Sequence, residues 1–291
     1  MGEAPEYAPT LDPGQHPVLY HYCSTSTFLS IIQRRCLWLS DINTMNDYGE
    51  MHWSYALFIE AANTILDVVG TDFVDEVDKI IHQGQTRILP MLCAFSTDGD
   101  VLSQWRAYAE DGSGVAIGFN SAKIAGLSVR VASIEYSREK QIGHFRSWLL
   151  AMHEVYNGIT EEKRKKFLFD KCAYFSVDMA FFKNPAFAEE KEVRILRAIP
   201  VNHDGNGWSL RDSGGTGERV SRKKLPILFR AARNGGVISY VEMPLHGLGN
   251  DLIVEVVVGP KSANNGVEIS MALNAAGFTG HNIRHSTSTY R

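Results

Sequence analysis

The sequence predicts a single α+β domain built from mixed, mostly antiparallel sheets flanked by helices. Three observations predict it. Amphipathic helical patterns fill much of the first 180 residues, strand-like segments crowd the last third, and no repeat or low-complexity linker divides the chain. With 291 residues, 44% hydrophobic and 21% charged, the chain can bury a sizeable core.

Residues 1–16 read as a flexible lead, because Pro5, Pro9 and Pro13, with Pro17 just beyond, oppose regular structure. The domain proper is expected over 17–291. Val18–Tyr22 is a short strand. Ser24, Thr25 and Ser26 then offer N-caps to a helix with an apolar face of Phe28, Leu29, Ile31 and Ile32. Gln33-Arg34-Arg35 closes that helix with cations, where the helix dipole favours them. Cys36–Leu39 returns as a strand.

The segment 40–47 is rich in cap and turn formers. Asn46 or Asp47 reads as an N-cap, with Glu50 as its capping-box partner and Asn43 nearby; a metal reading of this cluster is the less favoured one. A helix follows with Met51, Tyr55, Phe58, Ile59, Ala62, Ile65 and Leu66 at helical spacing, and another occupies 71–84. Leu89–Phe95 is an unbroken apolar run of strand length. Val101–Tyr108 is a short helix, Gly114–Phe119 a compact strand, and 127–136 an alternating strand. Helices fill 139–157 and 161–181. Later strands are expected at 192–199, 225–230, 237–243 and 252–258, and a last helix at Ile269–Ala276. Residues 203–218, rich in glycine and serine, predict a mobile surface loop.

Formal net charge is -4, so no global basic field invites nucleic acid or anionic lipid. The short runs Lys163–Lys166 and Arg222–Lys224 are either solvated faces or local phosphate-attracting patches. Cys23, Cys36, Cys93 and Cys172 form no C-x-x-C pair and fit reduced, buried thiols better than a zinc site. The N-terminus lacks the features of a signal peptide, and no stretch approaches the ~18 apolar residues of a membrane span. The expectation is a soluble, cytoplasmic protein with no membrane partner and no metal.

Two stretches carry most of the readable chemistry. His21 stands between Tyr20 and Tyr22 at a strand end, just before a Ser/Thr-rich helix start. It reads either as a donor to a ribose hydroxyl or as a buried histidine bonded to backbone. Glu190 and Glu192 lie two apart and, on a strand, would share one face with Arg194. Two carboxylates on one face repel, so one needs a raised pKa or a cationic partner, and Arg194 is available. An exposed charged edge is the alternative, but Val193, Ile195 and Leu196 argue for burial. A third stretch runs from Phe95-Ser96-Thr97-Asp98 into Leu102–Tyr108. There Gln104 and Tyr108 share one helix side, while Leu102, Trp105 and Arg106 crowd another. Tyr108 suits stacking on a flat ring and Arg106 suits a phosphate, unless they are respectively core and surface residues.

Taken together, Tyr20-His21-Tyr22 with the Phe28–Ile32 helix, Asn46-Asp47-x-x-Glu50, Phe95-Ser96, Trp105-x-x-Tyr108, Gly114–Phe119, Glu190-Lys191-Glu192-x-Arg194 and Val257-x-Gly259-Pro260 resemble a bacterial family known as domain of unknown function family 2971. A weaker likeness is to the ADP-ribosyltransferase superfamily. A strand His, a hydroxyl-bearing strand, an aromatic on a short helix and a late E-x-E occur in that order. This resemblance implies NAD as substrate, with no metal. It gives His21, with Tyr22 beside it, a role in holding ribose, Tyr108 one in stacking on nicotinamide, and Ser96 one in orienting the glutamate. Glu192 would stabilise the oxocarbenium-like transition state and Glu190 would activate the acceptor, while Arg106 is the phosphate candidate. It further implies a toxin or phage-defence effector acting on nucleic acid or protein, with an antitoxin or defence-operon partner. The alternatives are a metal-independent nuclease using His21 with Glu190 or Glu192, and a non-catalytic sensor in which the carboxylates are a structural ion-pair site with Arg194.

Overall fold

A computed structural model describes residues 10–44, 49–205, 207–214, 223–232 and 235–290 of the chain. Strand β1 (Val18–Cys23), helix α1 (Thr25–Arg34) and strand β2 (Cys36–Asp41) open it. Helices α2 (Glu50–Asn63), α3 (Leu66–Val69) and α4 (Thr71–Arg87) lead to β3 (Ile88–Ser96). Then come α5 (Leu102–Tyr108), β4 (Val115–Asn120), α6 (Ser121–Ala125), β5 (Arg130–Ser133), α7 (Arg138–Gly158) and α8 (Glu161–Asp178). Strands β6 (Glu192–His203), β7 (Trp208–Leu210), β8 (Leu228–Ala231), β9 (Val237–Pro244) and β10 (Ile253–Val258) follow, before α9 (Gly266–Ala275) and β11 (Asn282–His285).

The strands form one open sheet whose main path runs β11-β10-β4-β1-β3-β2-β9-β8. β6 covers the whole of one edge of β3, from Ile88 opposite Pro200 to Ser96 opposite Glu192, and carries β5 on its outer side. Among the described residues, every strand pair is antiparallel except β10 with β11. The predicted α+β class, mostly antiparallel and one domain, is the class found.

Alternation along the central strands sorts side chains into two cores. Met91, Cys93 and Phe95 of β3 and Val193, Ile195 and Ile199 of β6 pack in the main core, which α1 caps with Phe28, Ile31 and Ile32. Leu92 and Leu196 point the other way, beside Val177, Ala180 and Phe181. Burial on both faces explains why Leu89–Phe95 reads as an unbroken apolar run. Beyond this second face, α2, α4, α7 and α8 share a helical core, with Trp148 stacked on Phe175 at 3.8 Å between ring centroids.

Local chemistry sets the element ends. The Ser24 Oγ accepts from the Thr27 amide at 3.0 Å, and Arg35 ends α1 in the left-handed region at φ 47°. Gly114 and Gly259 let two backbones touch. A Cβ on Gly114 would sit 2.2 Å from the Cys23 carbonyl oxygen, and one on Gly259 would sit 2.3 Å from that of Gly112.

Several details differ from expectation. Glu50 does not serve as a capping-box partner: it is buried and paired with Arg194, while Gly49 is the N-cap residue of α2. Asn46 and Asp47 lie outside the described residues, as does Arg222 of the second basic run. The 203–218 segment contains β7, paired to β6 through Val201 and Leu210, and its Asp212 is clamped by Arg197; residues 206 and 215–218 lie outside the described residues. In the segment read as a flexible lead, Thr10 bridges to Ala132, and residues 1–9 lie outside the described set. All four cysteines are buried and free. Among the described residues, no helix is long and apolar enough to cross a membrane.

The C-terminal segment is tied to the site loop by one carboxylate. Asp100 accepts from the Trp105 indole at 2.8 Å, from the Thr287 amide at 2.7 Å, and from the hydroxyls of Ser286, Thr287 and Ser288. Burial opposes its charge, but the hydrogen bonds from Ser286, Thr287 and Trp105 outweigh this and pull its pKa down to about 2. A depressed carboxyl pKa stabilises the fold above the ordinary value of 3.8 and ceases to do so as pH falls through the folded value. An NMR titration should therefore show the Thr287 amide shift moving with a midpoint near 2. Asp100→Asn should speed hydrogen exchange at that amide at neutral pH. A midpoint near the ordinary value would contradict this account.

Candidate active site

The site begins with a split in the sheet. β1 and β2 both lie antiparallel to β3 on the edge that β6 leaves free, but at different heights. Tyr20 of β1 lies opposite Ser96, while Ser40 and Asp41 of β2 lie opposite Leu92 and Met91. Between them, the Ala94 carbonyl meets a side chain: the Nδ1 of His21 lies 3.0 Å from its oxygen. α1 links the two strands across the gap. A cavity of about 610 Å³ opens there, within the range of small-molecule and cofactor sites.

A carbonyl oxygen only accepts, so Nδ1 of His21 carries the proton and Nε2 is left with its lone pair. Burial lowers the His21 pKa, against the opposing pull of the Ala94 hydrogen bond, and keeps the ring neutral. The backbone-bonded reading of His21 is the one found; the residue also lines the cavity, but with its N–H given to Ala94 the neutral ring has no donor left for a ribose hydroxyl and offers an acceptor instead.

At the Ser96 end of β3 the cavity wall is ionic. Arg194 clamps Glu192 through Nε at 2.6 Å and a terminal nitrogen at 3.0 Å, reaches Glu50 at 2.5 Å, and donates to the Ala180 carbonyl at 2.5 Å. Lys183 bonds Glu190 at 2.5 Å and Glu192 at 3.1 Å. Tyr108 donates its hydroxyl to Glu190 at 3.3 Å. Three carboxylates and two cations leave one formal negative charge. Desolvation works against the Glu192 carboxylate, but the Arg194 and Lys183 charges outweigh it and hold its pKa below the ordinary range. For Glu50 desolvation wins over the pull of Arg194, and its pKa is raised. Burial, with the Glu190 charge adding to it, pushes the Tyr108 phenol up to about 12.

Residues 104–195 match a family model described as protein of unknown function (DUF2971). The match supports the family resemblance read from the sequence. It runs from Gln104 and Tyr108 on one wall to Lys183, Glu190, Glu192 and Arg194 on the other, and leaves out β1 and α1. No curated protein and no solved structure matches the chain.

Of the residues singled out in the sequence, His21, Tyr22, Tyr108, Glu190 and Glu192 all line this one cavity. Ser96 and Arg106 do not. Ser96 is buried opposite Glu192 and accepts from the Asp98 amide, while Arg106 lies on the outer side of α5 with its guanidinium 5.7 Å from the Tyr290 ring centroid. The E-x-E pair is not a strand pair. Glu190 ends a 3-10 turn (Pro185–Glu190), Lys191 takes a left-handed conformation at φ 46°, and β6 starts at Glu192. The carboxylates meet through Lys183 rather than through strand alternation.

Sequence reasoning overlooked Lys183, Arg230 and Trp38. Lys183 follows Phe181-Phe182 and precedes Asn184-Pro185; a lysine trapped between an apolar run and a helix stop was the available signal. Among the described residues, no group of three or more His, Cys, Asp or Glu is placed to hold a metal ion.

Removing the central cation would strand buried carboxylates. Arg194→Met should lower the unfolding free energy by about 3–5 kcal/mol, because Glu192 and Glu50 lose their partner while remaining buried. Urea denaturation checks this, and a loss under 1 kcal/mol would show that the network is dispensable to the fold.

Proposed function

We propose that the cleft binds an NAD-type dinucleotide as substrate and cleaves its nicotinamide–ribose bond, passing ADP-ribose to an acceptor. The observation that carries this reading is the joint placement of His21, Tyr108, Glu190 and Glu192 on the wall of one cavity at the sheet split.

The chemistry follows from charge. When the glycosidic bond breaks, its electron pair leaves with nicotinamide, which becomes neutral, and positive charge develops on the sugar. A preplaced anionic wall favours that state over the ground state, more so away from water. Arg194 and Lys183 keep Glu192 ionised and fixed, and the cluster retains one formal negative charge. Neutral His21 offers Nε2 to a ribose hydroxyl. Tyr108, about a third exposed, offers a ring face to a flat base. The Glu190 side chain, 12% exposed against 6% for Glu192, suits the proton-accepting role toward an incoming nucleophile. The acceptor then forms its bond to the sugar carbon and gives its proton to Glu190.

Purified protein incubated with labelled NAD, alone and with RNA, DNA or protein, should release nicotinamide. Glu190→Gln and Glu192→Gln should each reduce the rate by about 10²–10³-fold. Glu190→Gln should do so with little change in thermal stability. Wild-type protein that neither binds NAD nor releases nicotinamide would end this reading. Cleavage of RNA or DNA in the absence of NAD would replace it with the nuclease alternative.

A further inference from the structure

We infer that the end of the cleft formed by Arg230, Ser40 and Trp38 is a binding site for a diphosphate group, in practice the diphosphate of a nucleotide whose sugar lies at the carboxylate end. The inference rests on the proposed reading for the identity of the sugar, and on its own observations for the anion.

Two buried arginines show how a side-on edge, Nε with a terminal nitrogen, is ordinarily used in this fold. Arg194 places that edge on Glu192 at 2.6 and 3.0 Å. Arg197 places it on Asp212 at 3.0 and 2.7 Å. Arg230 is different. Its Nε is buried with no hydrogen-bond partner, and its terminal nitrogen reaches only the Ser40 hydroxyl, at a long 3.4 Å. Among the described residues, no carboxylate pairs with it. A buried unpartnered donor is costly, and a planar cationic fork matches two oxygens of a phosphate as well as it matches a carboxylate.

The surroundings point to the same ligand. Arg230 lies on β8, held by β9, which in turn pairs with β2 through Tyr240 and Ser40. Its guanidinium lies 5.6 Å from the Trp38 ring centroid, a contact that attracts the cation without neutralising it. Ser26, Thr27 and Ser30 from the first turns of α1 line the same cavity. The hydroxyls of Ser26 and Thr27 are already bonded to Ser24. Ser40 lies opposite Leu92, and Glu192 lies opposite Ser96, so the two ends are four residues apart along β3. At strand rise that is roughly 13 Å along β3, and because β2 and β6 flank β3 on opposite edges, strand spacing adds roughly 10 Å across it. An extended ribose carrying a diphosphate bridges this span with the glutamate and arginine side chains reaching in from either end. The cleft is thus dipolar, with an excess carboxylate at one end and an uncompensated guanidinium at the other. A molecule with a cationic glycosidic end and an anionic diphosphate has the matching polarity.

Titration calorimetry with the full chain tests this, using ADP-ribose, inorganic pyrophosphate and adenosine as probes. Wild-type protein should bind ADP-ribose, and pyrophosphate should compete with it. Arg230→Gln should weaken ADP-ribose by at least about tenfold, the order expected for losing a charge-assisted fork. Any binding of adenosine, which lacks phosphate, should be unchanged. Arg230→Lys, which keeps the charge but not the fork, should remain several-fold weaker than wild type. It reads the same effect should the glutamine variant melt early in a thermal scan. Wild-type affinity for ADP-ribose in either folded variant, or no binding of ADP-ribose and pyrophosphate by wild-type protein, would overturn the inference. The nicotinamide-release assay separates the two proposals. Arg230-dependent ADP-ribose binding without nicotinamide release keeps the anion site and removes the chemistry. Nicotinamide release with an unchanged KM for NAD in Arg230→Gln does the reverse.

Discussion

One guanidinium joins the sheet to the helical layer beside the cleft. Arg194 is 2% exposed and spends its donors on Glu192 in its own strand, on Glu50 at the start of α2, and on the Ala180 carbonyl after α8. It therefore joins the central sheet to the helical layer at a point where apolar packing alone could not satisfy polar groups. A buried charge is tolerated only when paired and hydrogen-bonded. Here the pairing is shared between two carboxylates, and Lys183 completes the shell around Glu192. The same contacts that make the ion pair tolerable fix the position of the carboxylate facing the cavity.

The cavity has an independent cause. β1 and β2 use different stretches of one edge of β3, so the sheet opens between them. An open sheet edge exposes backbone groups that must find partners. His21 supplies one to Ala94, which is why a histidine stands where strand alternation alone would accept a hydrophobe. Tyr22 does similar work a residue later. Its hydroxyl donates to the Asp98 carbonyl and accepts from the Val101 amide, pinning the loop that leads into α5 and so setting where Tyr108 stands.

What the sequence reveals, and what it hides, follows from how local each cause is. The α1 cap, the β3 run and the position of β6 are written in neighbouring residues, and composition and periodicity read them directly. Gln104 and Tyr108 were placed on one side of a helix by spacing alone, and they line the cavity together. Glu50 shows the limit. As the first residue of α2, it looks like a capping partner to any local reading, yet its partner is 144 residues away. Arg230 was invisible for the same reason, since nothing near it in sequence says that its edge will stay unpartnered; for Lys183 the flanking residues hint at burial but not at the carboxylates it meets. β11 escaped because Asn282–His285 has no apolar run; it is recruited by parallel pairing to β10. The E-x-E pair was found for the wrong geometric reason. Alternation on a strand would bring Glu190 and Glu192 to one face, but the left-handed turn at Lys191 takes Glu190 off the strand, and Lys183 brings the two together again.

This last point bears on how stability and chemistry share the same residues. Glu192 has both oxygens engaged by Arg194 and Lys183, so it stands on the cavity wall as a fixed charge. Glu190 is held at its rim by Lys183 and by the Tyr108 hydroxyl, outside the strand ladder and on a short turn. Moving Glu190 costs one contact to a tyrosine and one to a lysine; moving Glu192 dismantles the joint between sheet and helices. Of the two carboxylates, the outer one is therefore the less constrained, and the inner one is fixed in the joint between sheet and helices. The cleft wall thus sets one immobile carboxylate beside a less constrained one, two residues apart in sequence. The left-handed turn at Lys191 is the local feature that separates the two.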